Sequence, residues 1–263
     1  MQCLSPRFRQ ELETRYVWIY HSTIAATLVL LKNLQHSSTS NILLFNEYTP
    51  RLRIATADCY NDAKKALWDF ERGADRLAKA PPLGAAFNTL HKPTSTDKVK
   101  PVGNFERVLF PMNRSGHFWM VEICIDHDRR TVEAKLFESY HGSGYLQEAA
   151  TMLFSTILDA PAIEQLETQQ GYRVGRKLTF ADGAKKLQCR GGPCGLYVVW
   201  WALKRLCWNV EDDRSMWTFP VENETAVNET AVDDYMEDNI RTWLRDAVYR
   251  TETLFEEDAF VED

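Results

Sequence analysis

Cys194 is the residue of this sequence whose surroundings best suit nucleophilic chemistry. A thiol attacks as the thiolate, so its pKa must fall below its ordinary value of about 8.5. Gly191-Gly192-Pro193 allows a tight turn and is followed at once by an apolar segment, Cys194 to Trp208, that predicts a buried helix. The positive end of that helix would favour a thiolate at Cys194. Cys189 and Cys207 have no helix start behind a glycine turn, so we interpret them as ordinary thiols.

His117 is the best-placed base for this thiol. All six histidines precede Cys194, which excludes the papain order, in which the histidine follows the cysteine. His117 begins a predicted strand, Phe118 to Ile125, and would therefore stand at the end of a rigid element. His141, in a glycine-rich loop, is the second candidate, and His127 lies in a tight turn where we expect it to be solvated.

Glu138 is the predicted third member of the catalytic set. It directly follows the alternating segment Thr131 to Phe137, and the turn at 126–130 predicts a hairpin with the preceding strand. In such a hairpin, residues 137–139 lie opposite residues 117–119, which places Glu138 beside His117. Gln188, six residues before the cysteine, could donate its side-chain amide to an oxyanion at the same site.

The remaining sequence predicts a mixed α+β domain. Helical spacing of apolar residues or helix-favouring composition predicts helices at 17–34, 60–80, Tyr145 to Leu158, Cys194 to Trp208 and about Asp234 to Tyr249. Apolar or alternating runs predict strands at Asn41 to Phe45, Arg107 to Met112, Phe118 to Ile125, Thr131 to Phe137 and within 171–187. Four prolines predict a loop over 80–104.

Composition limits the class of protein. The chain has 263 residues, 44% of them hydrophobic, and a formal net charge of −6. We therefore predict one catalytic domain over 1–263, with a core of about 17–250 and a solvated acidic tail at 251–263. The negative charge argues against nucleic acid as a partner, and no apolar run is long enough to span a membrane. Six cysteines without a dense framework predict reduced thiols in the cytoplasm or nucleus. The sequence gives no reason to expect a cofactor or a metal.

The predicted site resembles that of the ubiquitin-like-protein proteases, which include the SUMO-specific proteases and bacterial and viral relatives of the adenovirus-protease clan, clan CE. That family runs His-Trp, Asp-Ser and Gln-x5-Cys-Gly. The matching pieces here are His117-Phe118-Trp119, Glu138-Ser139 and Gln188-x5-Cys194-Gly195, and Trp18-Ile19-Tyr20 resembles the family's Trp-Leu-Asn-Asp opening. The resemblance covers roughly residues 17 to 250. Phe118 replaces a tryptophan, Glu138 an aspartate and Pro193 an aspartate of the family pattern.

The resemblance implies a papain-like fold of the SUMO-protease type, with a mixed sheet and a buried central helix that carries the nucleophile. It implies a cysteine peptidase or isopeptidase, a deubiquitinase or its equivalent, that cleaves after the C-terminal Gly-Gly of ubiquitin, SUMO or NEDD8 through a His-Glu-Cys triad and a thioester. Family members thread this tail through a tunnel roofed by tryptophans, for which Trp18, Trp119 and the adjacent Phe118 are the candidates here. A bacterial effector member would act in the host cytoplasm.

Two other functions remain open at this stage. Bacterial effectors of the same clan use a His-Glu-Cys set to transfer acetyl from acetyl-coenzyme A to Ser, Thr or Lys, and are said to need an inositol phosphate. A basic pocket for that phosphate could be formed by Arg173, Arg176, Lys177, Lys185 and Lys186. The second function is non-enzymatic, a ubiquitin-binding module that has lost activity, and the intact triad argues against it.

Overall fold

A computed structural model of the protein describes residues 41–44, 105–114, 117–140, 161–184, 186–220 and 231–246. It also describes the isolated residues Gln10, Glu13, Thr14, Ile19, Ile24, Thr27, Leu28, Leu31 and Leu146. The helix predicted at 60–80, the loop at 80–104 and most of the helices predicted at 17–34 and 145–158 lie outside the described residues. In the part of the chain that is described, no helix is both long and apolar enough to cross a bilayer.

A five-stranded mixed sheet forms the centre of the fold. Its strands, in both chain order and spatial order, are β1 (Ile42–Leu44), β2 (Arg107–Arg114), β3 (His117–Asp126), β4 (Thr131–Phe137) and β5 (Arg173–Phe180). The three central strands β2, β3 and β4 are antiparallel, whereas β1 and β5 run parallel to their neighbours. The strand predicted within 171–187 is confirmed as β5, and it ends before a turn in which Gly183 takes a φ of +80°.

The hairpin between β3 and β4 forms as predicted, and its register lies one residue from the predicted pairing of 137–139 with 117–119. Asp126 pairs with Thr131 and Met120 pairs with Phe137, so each step along β3 corresponds to one step back along β4. The Asp126 carboxylate accepts a hydrogen bond from the Arg129 backbone N–H at 2.8 Å, which closes the turn. Continued by one residue beyond β4, this register brings Glu138 level with the start of β3.

In the described part of the chain, three α-helical segments longer than one residue follow the hairpin. Helix α1 spans Pro161–Gln170 and α2 spans Cys194–Leu206. The last begins as α3 (Ala231–Tyr235), passes through a π-helical turn (Met236–Ile240) and continues as α-helix over 241–246. A short 3₁₀ helix, Arg214–Trp217, lies between α2 and α3.

Helix α2 ends two residues before the predicted Trp208. The backbone N–H groups of Cys207 and Trp208 both bond to the Leu203 carbonyl, which closes the last turn. Asn209 then adopts a φ of +53°, the left-handed conformation that terminates many helices.

Every residue of α2 is buried, and one face of the sheet packs against it. Phe118, Met120 and Phe137 on that face belong to the same hydrophobic cluster as the helix. The alternate residues of β3 and β4, including Val132 and Leu136, point to the other face and are also buried. Burial of both faces explains why β3 is apolar along almost its whole length.

A buried ion network fixes the far end of α2 to β3. Arg205 donates to Glu122 at 2.9 Å and to Asp213 at 2.7 Å. The interval from Cys194 to Arg205 corresponds to about 16 Å of helix. The interval from His117 to Glu122 corresponds to about 16 Å of strand. These matching lengths allow α2 to run alongside β3 with its first residue beside the first residue of the strand.

Candidate active site

The predicted triad residues meet where β3 begins, β4 ends and α2 begins. His117 Nε2 lies 2.8 Å from Glu138 Oε1, and both side chains are buried. Because Nε2 is used by the carboxylate, the hydrogen bond of His117 to the Cys194 side chain falls to the other ring nitrogen, Nδ1. The Glu138 oxygen also accepts the Tyr140 backbone N–H at 2.6 Å, which fixes its position. The imidazole therefore lies between the thiol and the carboxylate.

His117 has a strongly raised pKa. Burial alone would lower it, but the hydrogen bonds to Cys194 and Glu138, with the charges of those two groups, raise the pKa from 6.5 to about 9. The ring is therefore protonated at neutral pH. A positively charged imidazole is the partner that a thiolate nucleophile needs.

Cys194 is the first residue of α2 and is only 1% exposed. The turn before it depends on Gly192, whose φ of +116° is accessible to glycine and strained for other residues. Pro193 caps the helix through its carbonyl, which accepts the N–H groups of Leu196 and Tyr197 at 2.8 and 3.2 Å. The sequence thus fixes the thiol at the positive end of the helix dipole.

Gly195 must be small for the N-terminal segment to pack against the nucleophile helix. A Cβ at this position would lie 2.8 Å from Ile24 Cδ1 and 3.5 Å from the Phe118 ring. The Cys-Gly pair of the sequence motif is therefore explained by close packing at the first turn of α2.

Gln188 is held on both ends of its side-chain amide. Ser139 Oγ donates to its Oε1 at 2.7 Å, and its Nε2 donates to the Arg190 carbonyl at 2.8 Å. The backbone N–H of Gln188 also bonds to the Ser139 carbonyl at 3.0 Å. Because a carboxamide carries two N–H groups, the Arg190 bond uses one and leaves a second for an acceptor in the site. Ser139 directly follows Glu138 in the chain, so it connects Gln188 to the segment that carries Glu138.

The two predicted substrate-contact residues that the structure describes, Trp119 and Phe118, lie on opposite faces of β3. Trp119 is fully buried, on the same face of β3 as His117, and the two ring centroids are 5.8 Å apart. Phe118 is buried on the opposite face against Gly195. Neither ring forms part of an exposed surface in this structure. Trp18 lies outside the described residues.

Of the other candidate residues in the sequence, one lies in the hairpin turn, one lies outside the described residues and one contacts Leu187. His127 is exposed in the hairpin turn, where its Nδ1 lies 2.9 Å from the Tyr172 hydroxyl. His141 lies outside the described residues. The Cys189 thiol contacts the Leu187 carbonyl at 3.6 Å.

Sequence reasoning missed three residues near the site. It assigned no role to Ser139, although the Glu-Ser pair was visible as a motif. It also missed Tyr140, which is 36% exposed and lies edge-on to His117 at 6.4 Å between ring centroids. The third is Asp233, a buried carboxylate that accepts hydrogen bonds from the loop before the nucleophile. Spacing in the sequence could not reveal it, because it is far along the chain from that loop.

Solved structures resemble this chain over nearly its whole length. A de-sumoylating protease superposes with a TM-score of 0.55 and 15% identity, covering 98% of this chain and 92% of the other. The SUMO protease Ulp1, with its catalytic cysteine oxidised to a sulfenic acid, gives a TM-score of 0.51 and 13% identity, covering 95% and 85%. No family model matches the sequence, and no curated protein matches it significantly. The chain therefore has the fold of the SUMO proteases, which confirms the predicted fold class.

Proposed function

We propose that this protein is a cysteine peptidase or isopeptidase that cleaves after the C-terminal Gly-Gly of ubiquitin or a ubiquitin-like modifier. The observation that carries the proposal is the buried imidazole of His117, hydrogen-bonded to Cys194 on one side and to Glu138 at 2.8 Å on the other. A nucleophile, a base and an orienting carboxylate in this arrangement are the requirements for acyl transfer through a thiol.

In the proposed reaction, the Cys194 sulfur attacks the carbonyl carbon of the terminal glycine. The oxyanion that forms is stabilised by the helix dipole of α2 and by the side-chain amide of Gln188. His117 protonates the amine as the C–N bond breaks, which leaves the modifier attached to Cys194 as a thioester. His117 then removes a proton from water as the water oxygen attacks the thioester. The C–S bond breaks, which releases the modifier with a free carboxyl group and restores the Cys194 thiolate beside the protonated His117. Glu138 stabilises the imidazolium throughout.

Burial of the nucleophile supports a glycine tail as the substrate. Cys194 is 1% exposed and His117 is 9% exposed, so the scissile bond must reach them by a narrow passage. A Gly-Gly tail has no side chains to accommodate in such a passage. SUMO is the modifier to test first, because both structures compared above are SUMO proteases.

Reaction with modifier probes tests this proposal. Propargyl-activated SUMO, ubiquitin and NEDD8 should be incubated separately with the protein, and we expect at least one to form a covalent adduct. Cys194→Ala should abolish the adduct, while the matched control Cys189→Ala should retain it. An adduct that depends on Cys189 instead would show that the nucleophile is assigned wrongly.

Acetyl-coenzyme A distinguishes the transferase alternative. Two of its five candidate basic side chains already have contacts, since Arg176 pairs with Glu167 at 2.7 Å and Lys186 lies over the Tyr140 ring at 5.1 Å. We expect acetyl-coenzyme A to leave the protein unmodified in intact-mass measurements. An acetyl group on Cys194, together with no reaction of any modifier probe, would establish a transferase in place of the peptidase.

A further inference from the structure

The Asp233 carboxylate connects the last helix of the described chain to the loop that precedes the nucleophile. Its side chain is fully buried, and Oδ2 accepts the backbone N–H groups of Cys189 and Arg190 at 2.9 and 3.0 Å. Its other oxygen, Oδ1, accepts the Tyr197 hydroxyl at 2.7 Å. Burial and the Asp233 charge raise the pKa of Tyr197, which keeps the hydroxyl protonated as a donor.

Two of these hydrogen bonds hold the loop that carries Gln188, and the third reaches the helix that carries Cys194. The Cys189 N–H belongs to the peptide unit that also contains the Gln188 carbonyl, so Asp233 fixes the backbone from which the Gln188 side chain extends. The Arg190 carbonyl, which holds the Gln188 amide at 2.8 Å, belongs to the same segment. Tyr197 lies one turn after Cys194 in α2, so the same carboxylate connects the loop to this helix, whose first turn is also held by the Pro193 carbonyl.

We propose that Asp233 is a positioning residue that sets the placement of Gln188 relative to Cys194. This inference rests on the function proposed above, because it assigns Gln188 to the oxyanion. A buried carboxylate is costly unless its oxygens are fully hydrogen-bonded, and here three donors from two different elements satisfy them. Loss of the carboxylate releases the loop but leaves Cys194, His117 and Glu138 with their own contacts.

The neighbouring residue provides a matched control. Asp234 is also an acid on the first turn of α3, and it also contacts Arg190, through an ion pair of 2.6 Å. That pair joins two side chains, which are 32% and 42% exposed. Exposed ion pairs contribute little, so Asp234→Ala should keep kcat within about twofold of wild type.

Kinetics of the full chain provide the first test. With a modifier that carries a C-terminal fluorogenic amide, Asp233→Ala should lower kcat by about 10- to 100-fold and leave KM nearly unchanged, because the oxyanion exists only in the reaction. Alkylation of Cys194 by iodoacetamide should stay within about twofold, because it requires the thiolate but no oxyanion donor. Asp233→Asn should recover most of kcat, since its amide oxygen can accept both N–H groups and its NH₂ group can donate to Tyr197.

A double substitution tests whether Asp233 acts through Gln188. If it does, the protein with both Gln188→Ala and Asp233→Ala should be no slower than Gln188→Ala alone. If the double substitution lowered kcat by the product of the two single losses, the inference would be overturned. It would also be overturned if Asp233→Ala lowered kcat and the alkylation rate by the same factor. A kcat for folded Asp233→Ala within twofold of wild type would also overturn it. Asp233→Ser replaces Asp233→Ala in every arm if the alanine protein does not fold.

Hydrogen exchange tests the contact independently of activity. The backbone amides of Cys189 and Arg190 should exchange about 10-fold faster or more in Asp233→Ala than in wild type, and at the wild-type rate in Asp234→Ala. Unchanged exchange would overturn the inference even in an active enzyme. If wild type reacts with no modifier while exchange accelerates as expected, the proposed function is wrong and the contact between Asp233 and the loop stands.

Discussion

Glu138→Gln removes the negative charge beside His117 while keeping the shape and the acceptor oxygen of the side chain. In the wild-type protein one carboxylate oxygen accepts both His117 Nε2 at 2.8 Å and the Tyr140 N–H at 2.6 Å. The amide oxygen of glutamine can accept the same two donors. The substitution therefore separates the effect of charge from the effect of the hydrogen bond.

The expected magnitude follows from the pKa of His117, which is about 9 against an ordinary 6.5. Removing an opposite charge at hydrogen-bond distance typically changes a pKa by about 1 to 3. Leaving-group protonation needs the protonated ring, so activity falls as pH rises through the pKa of His117. We expect the alkaline limb of the kcat/KM profile near pH 9 in wild type. In Glu138→Gln it should lie about one to two pH units lower.

The assay is hydrolysis of the fluorogenic modifier substrate across a pH range that includes both limbs of the profile. Glu133→Gln is the matched control, because Glu133 lies on the same strand β4 with its side chain exposed. Its profile should coincide with that of wild type. An alkaline limb that does not move in Glu138→Gln, or that moves equally in Glu133→Gln, would refute the assigned charge effect.

The contacts of His117 with Cys194 and Glu138 together make stability depend on pH. The folded-state pKa of His117, about 9, lies above the ordinary 6.5, so protonation favours the folded state. This contribution is roughly 3 kcal/mol, at 1.36 kcal/mol per pKa unit. It is fully present below pH 6.5 and is lost as pH rises through about 9. The stability difference between wild type and Glu138→Gln in urea unfolding should shrink over that interval, and a constant difference would contradict this explanation.

Four further single substitutions and one double substitution have expected outcomes. Gln188→Ala should lower kcat by about 100- to 1,000-fold with little change in KM. Ser139→Ala removes one hydrogen bond to the Gln188 side chain and should lower kcat by only about 10-fold. A larger loss of kcat in Ser139→Ala than in Gln188→Ala would contradict these roles. Gly195→Ala should destabilise the fold by about 1 to 3 kcal/mol. Adding Ile24→Val should recover part of this stability, because it removes Cδ1 of Ile24, the atom that the new Cβ would meet. If urea unfolding shows no recovery, the packing argument is refuted. Arg205→Met should cost about 1 to 3 kcal/mol in the same measurement, because it removes the buried guanidinium bonded to Glu122 but leaves that carboxylate its second partner, Arg107. An unchanged unfolding midpoint would show that the ion network contributes nothing.

The sequence by itself determined those parts of the site that depend on local geometry. A hairpin with a short turn has one register, so the distance from the turn was enough to bring Glu138 beside His117. The helix start at Cys194 likewise followed from a glycine turn and an apolar segment. Both inferences use the regular repeat of a strand or a helix, which is readable without knowing what packs against it.

Tertiary structure alone decided what supports these residues. Alternation along β3 places Phe118 and Trp119 on opposite faces, but only packing shows that α2 covers the Phe118 face and that Trp119 lies beside His117. Asp233 reaches Cys189 across 44 residues of chain, and Ser139 reaches Gln188 across 49. Such contacts depend on how separate elements dock, and no local repeat relates the two partners. The residues proposed to act in catalysis could therefore be found from spacing, whereas the residues that hold them in place could not.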